Sequence, residues 1–344
     1  MNRLSLFKRF SSALNGSNKI ILEQLSHREI VQVKGPEVAQ FMQGLITNDI
    51  NHLAEGHMPS MYTMFLNTRG RVMYDGIVYS TQNPDTYLIE CDSESAQILQ
   101  KHLKMYRIRR KIDVEALGSE YKIWVLFDKT SVNELSKPLT ILRQQFACPC
   151  ADPKEPVSKQ HEFHVVRDPR LAALGLRFIT QKNYNSEDIT KILGLPEDVA
   201  NKPECTYRMH RYRLGIGEGC KDLPPESCFP LEANGDYLHA VSFNKGCYLG
   251  QELTARTYHT GVIRKRLMPL YLENELPATN VNDEAINISN EAKTPVGKLR
   301  GVDGTNGLAL LRIAPALAAE KLDVNGVVSK TQKPEWWPKE GKTI

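Results

Sequence analysis

Up to Ile263 this 344-residue chain mixes strand and helix signals; beyond it, short strand-like runs are cut by turn signals at Asn282, Asp283, Gly297, Gly304 and Gly326. A small β-barrel or sandwich fits such a tail. Before the change, residues 30–33, 61–66, 72–80, 86–90 and 121–127 read as strands, with a turn at 67–70. Helical spacing appears at 37–45, 93–103, 133–145 and 186–193. Strands and helices segregate rather than alternate strictly, which is the pattern of an α+β protein. Length allows two or three packed domains at roughly 100–200 residues each. The longest apolar runs, such as 123–127 and 308–311, fall far short of the roughly 18 apolar residues a membrane-spanning helix needs. No membrane span is expected.

Lys and Arg number 44 against 40 Asp and Glu, and three of the cations, Arg3, Lys8 and Arg9, sit in an opening segment without acids. The body is therefore almost neutral, which argues against a protein built to grip a phosphate backbone. No nucleic-acid partner is expected. The opening residues 1–17 combine those cations with Ser5, Ser11, Ser12, Ser17 and scattered apolar residues, and the first acid is Glu23. That is the composition of a mitochondrial transit peptide, with a plausible cut at Phe10/Ser11 after Arg9. The seven cysteines are odd in number and show no paired C-x-x-C spacing, so reduced thiols rather than a disulfide framework or structural zinc site are expected. Residues 148–159 carry three prolines and read as a loop.

The most informative run is Lys245, Gly246, Cys247, Tyr248, Leu249, Gly250, Gln251, Glu252, followed by a short helical stretch through Arg256. If Cys247 directly precedes that helix, its sulfur meets unpaired N–H groups and the positive end of the helix dipole, with the Lys245 ammonium nearby. Gly246 and Gly250 then leave room for a ligand or partner to reach the sulfur. A buried, inert turn cysteine is the alternative. His239 and His259 flank this run in sequence but read as surface or hydrogen-bonded residues. Arg264, Lys265 and Arg266 are either solvated or attract an acidic group. Arg107, Arg109, Arg110 and Lys111, interleaved with Ile108, read as a solvated basic strand edge, with an anion site as the alternative. Gly215, Gly217 and Gly219 read as a tight turn, because no strand–turn–long-helix order surrounds them. Trp336 and Trp337 are expected to cover the end of the barrel.

The run from Lys245 to Glu252 matches the K-G-C-[FYW]-x-G-Q-E motif of the YgfZ-type proteins, relatives of the glycine-cleavage aminomethyltransferase (T-protein). The stretches 41–50 (FMQGLITNDI), 67–79 (NTRGRVMYDGIVY), 106–111 (YRIRRK) and 207–266 resemble that superfamily in the same order. With the presequence, the chain looks like the mitochondrial branch. The resemblance implies an α+β, aminomethyltransferase-like folate-binding fold, with two α+β domains and a C-terminal β-barrel around a central opening. On that template residues 18–120, completed by 205–262, make the first α+β domain, 121–204 the second and 263–344 the barrel.

The resemblance further implies an assembly factor that acts with A-type scaffold proteins to make [4Fe–4S] clusters for matrix enzymes. Cys247 would be offered as a ligand to a transient cluster shared with the partner; the free protein would be a monomer. A soft thiolate is a good iron ligand, and one exposed cysteine can complete a cluster otherwise held by a partner. Two departures bear on enzymatic activity. The catalytic aspartate of aminomethyltransferases aligns with Tyr74, leaving only Asp75 of the pair. The folate-facing L-R-I-E-A-G of relatives reads Leu214 to Gly219 here, with its arginine lost and its acid moved to Glu218. Asp75 and Glu218 are thus the candidate tetrahydrofolate contacts, and a non-enzymatic role is expected. A tetrahydrofolate-dependent one-carbon transferase or demethylase is the rival.

Overall fold

The computed structural model describes residues 20–130, 164–193, 195, 199, 205–277 and 286–338. The transit segment 1–17, the expected helix 133–145, the loop 148–159 and the turn signals Asn282 and Asp283 lie outside the described residues. The chain divides into two compact units, Met1–Gln43, Asp49–Tyr62 and Gly76–Tyr207 in the first, and Gly44–Asn48, Thr63–Asp75 and Arg208–Ile344 in the second.

In chain order the elements are β1 (Ile20–Gln24), β2 (Arg28–Lys34), α1 (Val38–Gln43), α2 (Asn51–Ala54), β3 (Ser60–Leu66), β4 (Val72–Ser80), β5 (Thr86–Asp92), α3 (Ser93–Tyr106), β6 (Asp113–Ala116) and β7 (Tyr121–Asp128). There follow β8 (His164–Arg167), β9 (Leu176–Gln181), α4 (Ser186–Leu193), α5 (Tyr207–Leu214), α6 (Gly219–Asp222) and α7 (Gln251–Thr260). The chain then runs through β10 (Lys265–Leu272), β11 (Asn287–Asn290), β12 (Pro295–Asp303), β13 (Asn306–Arg312), α8 (Ile313–Ala318), β14 (Leu322–Val324) and β15 (Val327–Thr331).

In the first unit, β1-β7-β9-β8 form an antiparallel sheet. Ile20, Leu22, Trp124, Leu126 and Phe178 pack there against Ile189 and Leu193 of α4. The opening strand β1 thus joins the sheet of the 121–204 stretch, a pairing between distant segments that linear order does not reveal. A second sheet has the order β3-β4-β5-β2-β6, and the division between the units falls within its strands β3 and β4. β5 is buried along its whole length and is followed by α3, whose N-cap Asp92 accepts from Glu94 N–H at 2.9 Å.

Arg28, Glu90, Asp168, Arg170 and Arg177 form a buried charge cluster in this unit. Arg28 Nε donates to Glu90 Oε1 at 2.9 Å, and Arg177 pairs with both Glu90 and Asp168, the latter at 2.8 Å. Arg170 forks onto Asp168 at 3.0 and 2.8 Å, and both Arg170 and Arg177 donate to the Tyr207 hydroxyl at 3.1 Å. Burial first, and the adjacent Glu90 second, push the Tyr79 hydroxyl well above its usual range. It therefore stays protonated and donates to Glu90 Oε2 at 2.6 Å. Burial alone would raise the Asp168 carboxyl, but Arg170 and Arg177 more than reverse this and bring it to about 2.

The stretch 107–111 is not a strand. α3 runs to Tyr106, the Arg110 N–H closes a turn onto Arg107 O at 2.9 Å, and Arg107 Nη1 donates to Ile112 O at 2.8 Å. Local hydrogen bonds outcompete the strand that alternation suggested.

In the second unit β10-β13-β12-β11-β14-β15 close into a barrel, as the change of pattern at Ile263 implied. Its core holds Met268, Leu270, Ile288, Leu311, Leu322 and Val324 together with Trp337. The Trp336 indole donates to Leu214 O at 2.7 Å. Among the described residues no helix is long and apolar enough to cross a membrane.

Candidate functional site

The Lys245-to-Glu252 run lies in the second unit, between an irregular stretch and α7, and is tied to the short segment Gly44–Asn48. Ser242 N–H donates to Thr47 O and Leu249 N–H to Gly44 O, both at 3.0 Å. Lys245 Nζ donates to Ile46 O at 2.9 Å and Asn48 O at 2.6 Å. Thr47 Oγ1 donates to Ala240 O at 2.7 Å, and Asn48 Nδ2 to His239 O at 2.7 Å. The loop is thus stitched at both ends.

The other motif residues anchor it from within. Tyr248 is buried, its hydroxyl pushed up to about 12 by desolvation, and its ring lies 5.0 Å from Lys245 Nζ. Gln251 Oε1 accepts from Tyr248 N–H at 3.3 Å while Gln251 N–H donates back to Tyr248 O at 3.2 Å. Gly250 has φ +77°, and a Cβ there would lie 2.3 Å from Asn67 O, so this glycine seats the 67–70 turn. Glu252, exposed in the first turn of α7, suits the positive end of the helix.

What these anchors leave uncommitted is the tip. Gly246 and Cys247 are exposed, and a Cβ on Gly246 would meet nothing within 4 Å. Of the described cysteines, Cys91, Cys205 and Cys228 are buried, Cys220 is half-buried and Cys247 alone is exposed. Burial pushes the Cys228 thiol up to about 12. Buried inert packing is therefore not the state of Cys247.

Three expectations change. α7 starts at Gln251 with Gly250 as its cap, so Cys247 lies three residues before the cap and outside the first turn, where helix-end effects are felt. Lys245 spends its ammonium on two backbone carbonyls, which makes it a brace. Gly250 makes space for backbone packing, while Gly246 alone leaves the approach to the tip open.

The remaining residues singled out in the sequence sit elsewhere in the unit. Asp75 is buried and its Oδ1 accepts from Gly219 N–H at 3.0 Å. Glu218 is buried, with Oε1 3.8 Å from Arg211 Nε. Arg211 also donates to Asp222 Oδ2 at 2.6 Å and Ile216 O at 3.0 Å, and Tyr212 Oη donates to Asp222 Oδ1 at 2.6 Å. Sequence reasoning missed Arg211, Tyr212 and Asp222; the faint signal was an arginine and a tyrosine one turn after Tyr207 on a short helix. Burial raises the Tyr74 hydroxyl. The Gly215–Gly219 stretch is a turn leading into the four-residue α6. His239 and His259 are exposed, the latter edge-on to Tyr258 at 5.2 Å, and Tyr258 stacks on Phe243 at 3.5 Å. Of the basic trio, Arg264 and Lys265 are exposed, but Arg266 is buried and forks onto Asp236 at 2.7 Å with its guanidinium 3.8 Å from the Tyr237 ring centroid.

Comparison with known proteins agrees with this architecture. Residues 264–339 match the family model described as the CAF17 C-terminal beta-barrel domain, and residues 15–127 match the GCVT N-terminal domain. The crystal structure of glycine cleavage system aminomethyltransferase T from Bartonella henselae superposes with a TM-score of 0.66 at 14% identity, covering 97% of this chain and 89% of that one. At that identity the match shows the aminomethyltransferase-like fold alone. The iron-sulfur cluster assembly factor IBA57, mitochondrial, of Mus musculus is 38% identical over 332 residues, 93% of this chain and 86% of its own length. Its Homo sapiens counterpart is 37% identical, with coverage of 92% and 85%. Similarity of this extent, spanning both units and the anchored cysteine loop, makes the chain a member of the IBA57 family of mitochondrial iron-sulfur cluster assembly factors.

Proposed function

We propose that this protein works in the mitochondrial matrix with an A-type scaffold protein to build [4Fe–4S] clusters for matrix enzymes, and that Cys247 is its ligand to the shared cluster. The observation that carries this reading is the tip geometry: Lys245, Tyr248, Gly250 and Gln251 fix the loop, and the one exposed cysteine among the described residues stands at its end. On binding, the Cys247 thiol loses its proton and its sulfur donates to a cluster iron, displacing a weaker ligand there. The other thiolates come from the partner, because one cysteine does not satisfy the four-thiolate coordination of a stable cluster.

A non-enzymatic role is supported by Tyr74, which puts a phenol where aminomethyltransferases resemble one another in having a carboxylate. Asp75 and Glu218 are engaged with Gly219 and Arg211. A tetrahydrofolate-dependent transferase would need these acids turned toward a pterin instead. Anaerobic mixing with a cluster-loaded A-type scaffold, followed by absorption and native mass analysis, tests the reading. A complex weighing the two proteins plus a cluster is expected, with no cluster on the isolated protein. A stoichiometric, stable cluster on the isolated monomer would overturn it.

A further inference from the structure

The basic run 106–111, which the proposed function leaves unused, continues a cationic face of α3 in the first unit. Between Glu94 and Asp113 the sequence carries six Lys and Arg and no acid, in a body whose charges nearly balance as a whole. α3 buries Ser95, Ala96, Leu99 and Leu103. Its opposite face shows Ile98, 54% exposed, and Met105, 65% exposed, seven residues apart and hence on one side of the helix. Ile108, 82% exposed, follows just past the helix end. Lys101 and Lys104 lie exposed among these apolar tips, and Arg109 and Lys111 lie exposed beyond them.

Ile108 adds a second, independent observation. Its φ is +49°, a left-handed conformation that a β-branched residue adopts only at a cost, and packing does not compensate for it because the side chain stands in solvent. The turn is locked by Arg107 on Ile112 O and by Arg110 N–H on Arg107 O. Asparagine or glycine would suit such a turn better; isoleucine there holds a large apolar tip outward.

We propose that this face docks on an anionic bilayer surface, with Ile98, Met105 and Ile108 entering the headgroup–acyl boundary and Lys101, Lys104, Arg109 and Lys111 reaching lipid phosphates. Lysines with long apolar stems around exposed apolar tips suit that boundary, where stems lie in the apolar layer and ammonium groups reach the headgroups. Protein–protein interfaces instead favour aromatic anchors and are poor in lysine.

The test is vesicle flotation of the full chain. Wild type is expected to float with vesicles of phosphatidylcholine containing about one-third phosphatidylglycerol, not with phosphatidylcholine alone, and to be released at about 0.5 M salt. At roughly fivefold per cation, the combined Lys101→Gln, Lys104→Gln, Arg109→Gln and Lys111→Gln variant should bind several hundred-fold more weakly. Ile108→Asn should lose about tenfold in binding without a lower melting temperature, since asparagine tolerates the left-handed turn. Wild type that ignores anionic vesicles, whether or not an acidic protein captures it, overturns the proposal. So does binding that survives in both variants, which would put the contact elsewhere, as on the basic opening segment.

Discussion

The buried charge cluster of the first unit and the Cys247 loop of the second solve opposite problems. In the first, Arg28, Glu90, Asp168, Arg170 and Arg177 have no exposed side-chain surface and are held by one another and by Tyr79 and Tyr207. Every polar contact is spent on order. In the second, the contacts made by Lys245, Tyr248, Gly250 and Gln251 leave two residues deliberately unspent. A reactive group must stay accessible, so its precision comes from neighbours. A buried charge must be matched on all sides, because removing one partner leaves another charge stranded in low dielectric.

That contrast is open to breakage by substitution. The largest effect is expected for Arg177→Met, which strips partners from both Glu90 and Asp168; denaturant unfolding should show a loss of about 3–5 kcal/mol. A loss under 1 kcal/mol would mean that the cluster is not the structural knot described. Next comes Gly250→Ala. With positive φ and a Cβ placed 2.3 Å from Asn67 O, it should cost about 2–3 kcal/mol by the same measurement. Gly246→Ala, at the open tip, should stay within about 0.5 kcal/mol of wild type. Equal costs at the two glycines would remove the distinction between anchor and tip.

Acid sharpens the comparison from the other side. The Asp168 carboxyl sits at about 2 in the folded protein, below its unfolded value of about 3.9, so its contribution is complete above that value and is lost as pH falls toward 2. Unfolding followed over that window should show a slope that Asp168→Asn removes, on the order of 2 kcal/mol in all. An unchanged slope in the variant would assign acid sensitivity to other carboxylates.

Much of this was legible in the sequence where the signal is local. Strands 61–66, 72–80 and 121–127 and helices 93–103 and 186–193 match observed elements to within a few residues, because apolar runs and periodic faces are set by nearest neighbours. The run around Cys247 stood out from residue types and spacing alone. The jobs of its members did not. Lys245 reaches carbonyls about 200 residues away in sequence, and Gly250 answers to Asn67. Likewise Arg177 meets Glu90 across 87 residues, and Arg266, read as solvated or partner-facing, meets Asp236 inside the fold. A single sequence records that a charge sits in an apolar strand but not which distant charge completes it. At 107–111 the alternation suggested a strand, and a local turn won.

If the anchored loop serves to present the Cys247 sulfur, replacing that one atom is the sharpest perturbation available. Cys247→Ser keeps every anchor and exchanges only a soft ligand for a hard one. The variant should be introduced into cells that lack the protein, and the activity of matrix [4Fe–4S] enzymes measured alongside the melting temperature of the purified variant. An unchanged melting temperature is expected, with enzyme activity no higher than in cells without the protein. Full rescue by the serine variant would contradict that role of the loop.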